Sequence, residues 1–166
     1  MAELDDELFL VEVPDASGGR SDRTLSFSRS PTVLLTFAAN RFTRKAARHY
    51  QETYGIGAMD WRMLVMLTRE PGASVTRASE TIGIDKAAVS RCLARLEAKG
   101  LATAEADDAN QRRRNWTLTE AGRALHAEIL EVALRRQRIL LEGLDEDDVR
   151  RLSASLRIML SNIESL

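Results

Sequence analysis

The stretch DKAAVSRCLARLEAKGL, residues 85–101, combines cations and small side chains at a spacing that suits contact with a polyanion. At about 100° per residue, Val89, Leu93 and Leu96 fall within about 60° of one another and form a seating face. The opposite side carries Ala87, Arg91, Ala94 and Ala98, flanked by Ser90 and Arg95. Alanine and serine let the backbone approach whatever lies opposite, while the two guanidinium groups, one helical turn apart, reach past them. A helix entering the major groove of double-stranded DNA needs this combination, because guanidinium forks grip guanine edges or phosphates and small residues avoid collision. Alanine and arginine are also good helix formers, so a merely solvated face has the same composition. The neighbouring elements decide between the two.

Those elements favour the groove. Ser74 can cap a short helix, VTRASETI, with Val75, Ala78 and Ile82 on its inner face, and Gly83 ends it. Asp85 caps the next helix after a turn of about three residues, which makes a helix-turn-helix pattern. After Gly100, LATAEA reads as a strand, DDANQRRR as a polar loop and NWTLT as a second strand of a hairpin. Arg112, Arg113 and Arg114 would stand at the hairpin tip, where an arginine can enter the minor groove. Residues 86–116 hold seven bases and four acids, although the whole chain has a formal net charge of −1. The positive footprint is local, and binding should be salt-sensitive.

Helices must carry this apparatus. Ser30-Pro31 is a helix start, and Leu34, Leu35, Ala38, Phe42, Ala46 and Tyr50 recur through a long helix that Gly55 breaks. AMDWRMLVMLTRE follows, with Trp61, Leu64, Val65 and Thr68 on one face, until Pro71-Gly72. Thr119 caps a long helix and Asp145 starts a last one, with Val149, Leu152, Leu156 and Leu160 inward. The terminal helices hold more apolar surface than one small domain can bury, which points to a dimer. Residues 1–29 form an extension: six acids and no base in the first 15 residues, then the flexible connector DASGGRSDRTLSFSRS. Leu8, Phe9, Leu10 and Val11 leave a short docking segment open there.

Composition narrows the remainder. The chain has 166 residues, 44% hydrophobic and only 5% aromatic, so aliphatic side chains must fill a mainly α core. Cys92 is the single cysteine, which excludes an intrachain disulfide and fits a reducing, cytoplasmic setting. No apolar run approaches membrane-spanning length, and the acidic N-terminus does not resemble a secretory signal. The two histidines lie in no grouping with metal-ligand spacing, so no metal and no cofactor are expected. There is no phosphate-binding glycine loop and no nucleophile elbow, which argues against an enzyme.

Taken together, WRMLVML, VSRCLARLEAKGL and LTEAG resemble the MarR family of winged helix-turn-helix regulators over about residues 31–164. The family's wing pattern, Asp-x-Arg, five residues, then Leu-Thr-x-x-Gly, is met by Asn110-Gln111-Arg112 followed by Leu118-Thr119-Glu120-Ala121-Gly122. The resemblance implies a homodimeric transcriptional regulator, most often a repressor. Its first, fifth and sixth helices would join the protomers: residues 30–56 and 119–166 would dimerise, and 57–118 would bind a pseudo-palindrome. By position, Lys86, Ala87, Ala88, Ser90, Arg91 and Arg95 match the major-groove helix within 85–99. Arg112 matches the wing arginine within the wing, 101–118. His49 and Trp61 stand where the family often has a pocket for a small aromatic or phenolic effector. Three departures stand out: Asn110 replaces the wing aspartate, Ala78-Ser79 replaces a common Leu-Ala, and the acidic extension lies outside the family core. Two alternatives stay open, a thiol-based redox regulator acting through Cys92 and a winged-helix dimer that binds protein instead of DNA.

Overall fold

The computed structural model describes residues 4–14, 21–107 and 110–165, with the backbone alone described at 107 and 110–113. The chain divides into two compact units, Met1–Arg62 and Met63–Leu166.

In the first unit a 3-10 turn at Asp6–Leu8 leads into β1 (Leu10–Pro14), which pairs antiparallel with β2 (Ser21–Leu25). Residues 21–25 thus form a strand where the sequence suggested a flexible connector. The pairing sets Glu12 opposite Arg23, an ion pair joins Arg23 to Glu7, and Arg29 donates to the Leu10 carbonyl. Residues 15–20, the centre of the expected connector, lie outside the described residues.

Helix α1 (Pro31–Tyr54) follows Ser30 and stops at Gly55, whose φ of 66° is left-handed and whose N–H closes on the Gln51 carbonyl. Only Ala46 and Tyr50 of its apolar row are buried; Leu34 and Leu35 are each 44% exposed. The expected inner stripe therefore finds cover within this chain only near its C-terminal end. The first turn of helix α2 (Ala58–Arg69) holds Asp60, a buried carboxylate whose Oδ2 accepts the Gly57 N–H at 3.1 Å.

The second unit takes up α2 from Met63 and continues with α3 (Val75–Ile82), α4 (Lys86–Ala98), β3 (Ala102–Asp107), β4 (Asn110–Leu118), α5 (Glu120–Leu140) and α6 (Glu146–Ile163). Its core joins Met63, Leu64 and Leu67 to Val89, Cys92, Leu93, Leu96, Trp116 and Ile129, all at or below 4% exposure. The buried face of α2 is set by Met63, Leu64 and Leu67, which span about 100° of the helix with Leu67 between the other two. Val65 and Thr68, expected inside, are exposed: Val65 stands about 160° round the helix from Leu67.

Strands β3 and β4 pair antiparallel, and the turn after α2 joins them through Ala73. Trp116 N–H donates to the Ala73 carbonyl at 3.0 Å, and Gly72 N–H returns to the Trp116 carbonyl at 2.8 Å. A partner 43 residues away, with one residue in the pairing, is invisible to a reading of local alternation.

Helix α6 opens on a capping box between Asp145 and Asp148, yet none of its residues is buried. Leu152 and Leu160, expected inward, are 43% and 65% exposed in the single chain. His126 on α5 is half-buried, and burial holds its imidazole below the ordinary value of 6.5. The folded chain resists protonation that the unfolded chain accepts, so His126 lends stability above pH 6.5 that is lost as pH falls below it. Thermal melts between pH 7.5 and 5 at fixed protein concentration should show this loss. It should shrink in His126→Gln, and an unchanged slope would show that other groups carry the dependence.

Candidate nucleic-acid interface

The site grows from caps that the sequence supplies. Ser74 Oγ accepts the Arg77 N–H at 3.2 Å and starts α3, and Gly83, with φ of 73°, ends it. Ser79 Oγ donates to the Ile84 carbonyl at 2.6 Å across the turn. Asp85 Oδ1 then accepts the Ala88 N–H at 2.8 Å, so α4 starts where its cap predicts. Ala78, where a larger residue is common in the family pattern, is 1% exposed between the two short helices.

Helix α4 has two unlike sides. Val89, Cys92, Leu93 and Leu96 are each 0% exposed. Lys86, Ala87, Ser90, Arg91, Ala94, Arg95 and Ala98 are exposed, and Ala88 is intermediate. Every residue assigned to the groove-facing side is therefore on the accessible side of a helix whose back is fully seated. Burial of four such side chains, each worth about 1.5–3 kcal/mol if aliphatic, makes the orientation of this face rigid.

The arginine run is placed differently from the expectation. Strand β4 begins at Asn110, so Arg112, Arg113 and Arg114 belong to the strand, not to the loop at the tip. The side chains of Arg112 and Arg113 lie outside the described residues, as do residues 108 and 109 of the tip. Arg114 sits opposite Ala106, next to a register irregularity at Ala106/Asp107. Its Nη2 donates to Glu97 Oε1 at 2.7 Å, and its guanidinium lies 4.8 Å from the centroid of the Trp116 ring. Sequence spacing could not show this engagement.

A joint unmarked by the helix-turn-helix pattern closes the far end of α4. Thr119 Oγ1 donates to the Gly100 carbonyl at 2.7 Å and accepts the Gly122 N–H at 3.0 Å. Leu101 N–H donates to the Leu96 carbonyl at 2.9 Å, and Thr119 N–H to the Leu101 carbonyl at 3.1 Å. The LTEAG motif thus locks the start of α5 onto Gly100 and Leu101, the residues that follow α4. Of the residues expected to line an effector pocket, His49 and Trp61 each lie near Tyr50, with ring centroids 6.0 and 5.9 Å from its own.

A short helix, a tight turn, a seated second helix with a cationic outer face and a following hairpin define a winged helix-turn-helix DNA-binding protein. The MarR family pattern matches residues 54–114, which run from the end of α1 into the wing. The HTH-type transcriptional regulator PetP of Rhodobacter capsulatus is 30% identical over 110 residues, 66% of each chain. A MarR/EmrR family regulator from Acinetobacter sp. ADP1 superposes with a TM-score of 0.79 at 28% identity, covering 86% of this chain and 100% of its own. BpsR of Bordetella bronchiseptica, whose DNA binding is regulated by 6-hydroxynicotinic acid, superposes with a TM-score of 0.73 at 26% identity, covering 82% and 96%. The chain belongs to the MarR family, whose members are transcriptional regulators and not enzymes.

Among the described residues no helix is long and apolar enough to cross a membrane, and no group of His, Cys, Asp and Glu could hold a metal ion.

Proposed function

We propose that the chain acts as a homodimer in the cytoplasm, represses transcription from a pseudo-palindromic operator, and releases it on binding a small aromatic acid. The observation that carries the reading is the exposed Lys86, Ser90, Arg91 and Arg95 surface over a helix back that is 0% exposed. Two such helices, held by one dimer, would enter successive major grooves about one helical turn apart.

Dimerisation is supported by apolar surface left uncovered on the elements that would make it. No residue of α6 is fully buried, and Ile158, Leu160 and Ile163 are 63%, 65% and 56% exposed. On α5, Ile139 and Leu140 are 66% and 54% exposed. Covering what remains exposed stabilises each by roughly 1–2 kcal/mol, which offsets association costs when several act together. Sedimentation at micromolar concentration should give a dimer, and a monomer would sink the proposal.

Effector control is supported by the ligand of BpsR and by the His49, Tyr50 and Trp61 aromatic group. An effector can weaken DNA binding only by its differential affinity for a dimer spacing that misfits the two half-sites. Calorimetry with hydroxylated aromatic acids should give binding that Trp61→Ala weakens by about tenfold or more, as loss of a buried aromatic contact does. Equal binding by both proteins would remove Trp61 from the site.

The redox alternative finds little support. Cys92 is 0% exposed on the seated side of α4, where an oxidant has no path to the thiol without unseating the helix.

A further inference from the structure

The wing of this chain is tied to the recognition helix by a contact that none of its three arginines announces in the sequence. Glu97 lies in the last turn of α4, and Arg114 lies 17 residues on, in β4; they meet at 2.7 Å. Trp116, two residues beyond Arg114 and so on the same face of the strand, offers its ring to the same guanidinium at 4.8 Å. The facing strand makes room: Arg114, Trp116 and Leu118 stand opposite Ala106, Ala104 and Ala102. A large ring and a guanidinium stack where β3 presents only methyl groups. Trp116 is 4% exposed and anchored at both backbone atoms by Gly72 and Ala73, so it cannot follow a moving arginine.

We propose that Arg114 is a positioning residue, with Glu97 and Trp116 as its partners, that sets the angle of the wing against the recognition helix and makes no contact with DNA itself. A carboxylate on one side and an aromatic face on the other satisfy both the in-plane donors and the cationic face of a guanidinium. Glu97 lies on α4, and Arg114 and Trp116 lie on β4, so the ion pair joins the two elements while the ring holds the guanidinium in place. An isolated exposed ion pair contributes little to stability, and its value here lies in geometry. The proposal rests on the DNA-binding reading and names the part of the site that aligns its two contact surfaces.

A double-mutant cycle on the full-length protein separates the roles. The probes are the best duplex that wild type selects from random sequences of about 30 base pairs, long enough for two half-sites, and a scrambled duplex of the same composition. If Arg114 positions the wing, Glu97→Gln and Arg114→Gln each weaken specific binding by about three- to tenfold and leave scrambled binding nearly unchanged. The double variant is then no weaker than either single one, because both remove the same contact. The salt slope stays at its wild-type value, since no phosphate contact is lost. Melting curves at fixed concentration exclude general unfolding as the cause. The opposite result overturns the proposal: Glu97→Gln binds both duplexes more tightly, and Arg114→Gln lowers the salt slope by about one, as loss of a phosphate contact does. Failure of wild type to select any duplex overturns the functional reading, and the proposal with it.

Discussion

Replacing Arg91 and Arg95 together with alanine is expected to lower affinity for the selected operator by about 30-fold to 30,000-fold, with little change in melting temperature. Each arginine that reads a base contributes about 1–3 kcal/mol of discrimination, and the two lie one helical turn apart on the exposed face of α4. Stability should hold, because α4 is seated by Val89, Cys92, Leu93 and Leu96, none of which changes. The decisive comparison is with a scrambled duplex. Base readers lose affinity for the operator far more than for scrambled DNA, whereas phosphate contacts lose both alike and flatten the salt dependence. Gel-shift titration at two salt concentrations measures both quantities. An operator affinity equal to wild type would show that the DNA-reading face lies elsewhere.

Gly122→Ala is expected to destabilise the protein by about 3 kcal/mol, through backbone overpacking. That corresponds to a fall in melting temperature of about 6–12 °C for a chain of this size. Helix propensity argues the other way, since alanine in place of glycine within α5 should gain up to about 1 kcal/mol. The geometry outweighs it. A Cβ at Gly122 would overlap the Leu101 carbonyl oxygen and stand 2.9 Å from its carbonyl carbon, and neither is a side chain that can swing away. Relief requires moving Leu101 off the start of α5, which strains the Thr119 bond to Gly100 at 2.7 Å and the Leu101 bond to Leu96 at 2.9 Å. Because those residues end the recognition helix, operator affinity should fall in the variant even below its melting point. Differential scanning calorimetry at one protein concentration gives the sign directly. A melting temperature at or above that of wild type would show that the joint yields at little cost.

The same joint explains why the wing pattern carries a glycine at its end. Its Leu-Thr-x-x-Gly portion serves as a fastening between three elements: threonine caps α5 and grips Gly100, while glycine leaves room for Leu101. Motion at the start of α5 would therefore reach the end of α4 directly.

What could be read in advance was what neighbours in the chain decide. The 3.6-residue period of Val89, Leu93 and Leu96 set the seated side of α4, and the caps at Ser74, Asp85, Thr119 and Asp145 each bond where their positions imply. These effects act within one or two turns, so composition and spacing suffice. Where apolar positions were assigned without weighing neighbours, as with Val65 on α2, the wheel misplaced them.

Tertiary structure alone decided the rest, because the deciding partners are far apart along the chain. Arg114 looked like one more cation of a solvated tip, and only the fold brings it to Glu97 and over Trp116. Trp116 reaches Ala73 across 43 residues, and Gly122 meets Leu101 across 21. Strand β2 likewise pairs with β1, Ser21–Leu25 against Leu10–Pro14, where local composition spoke for a loose connector. Local chemistry therefore determined where α4 starts and which of its sides faces out. The angle at which wing, recognition helix and α5 meet depends on contacts between distant residues, which no local period encodes.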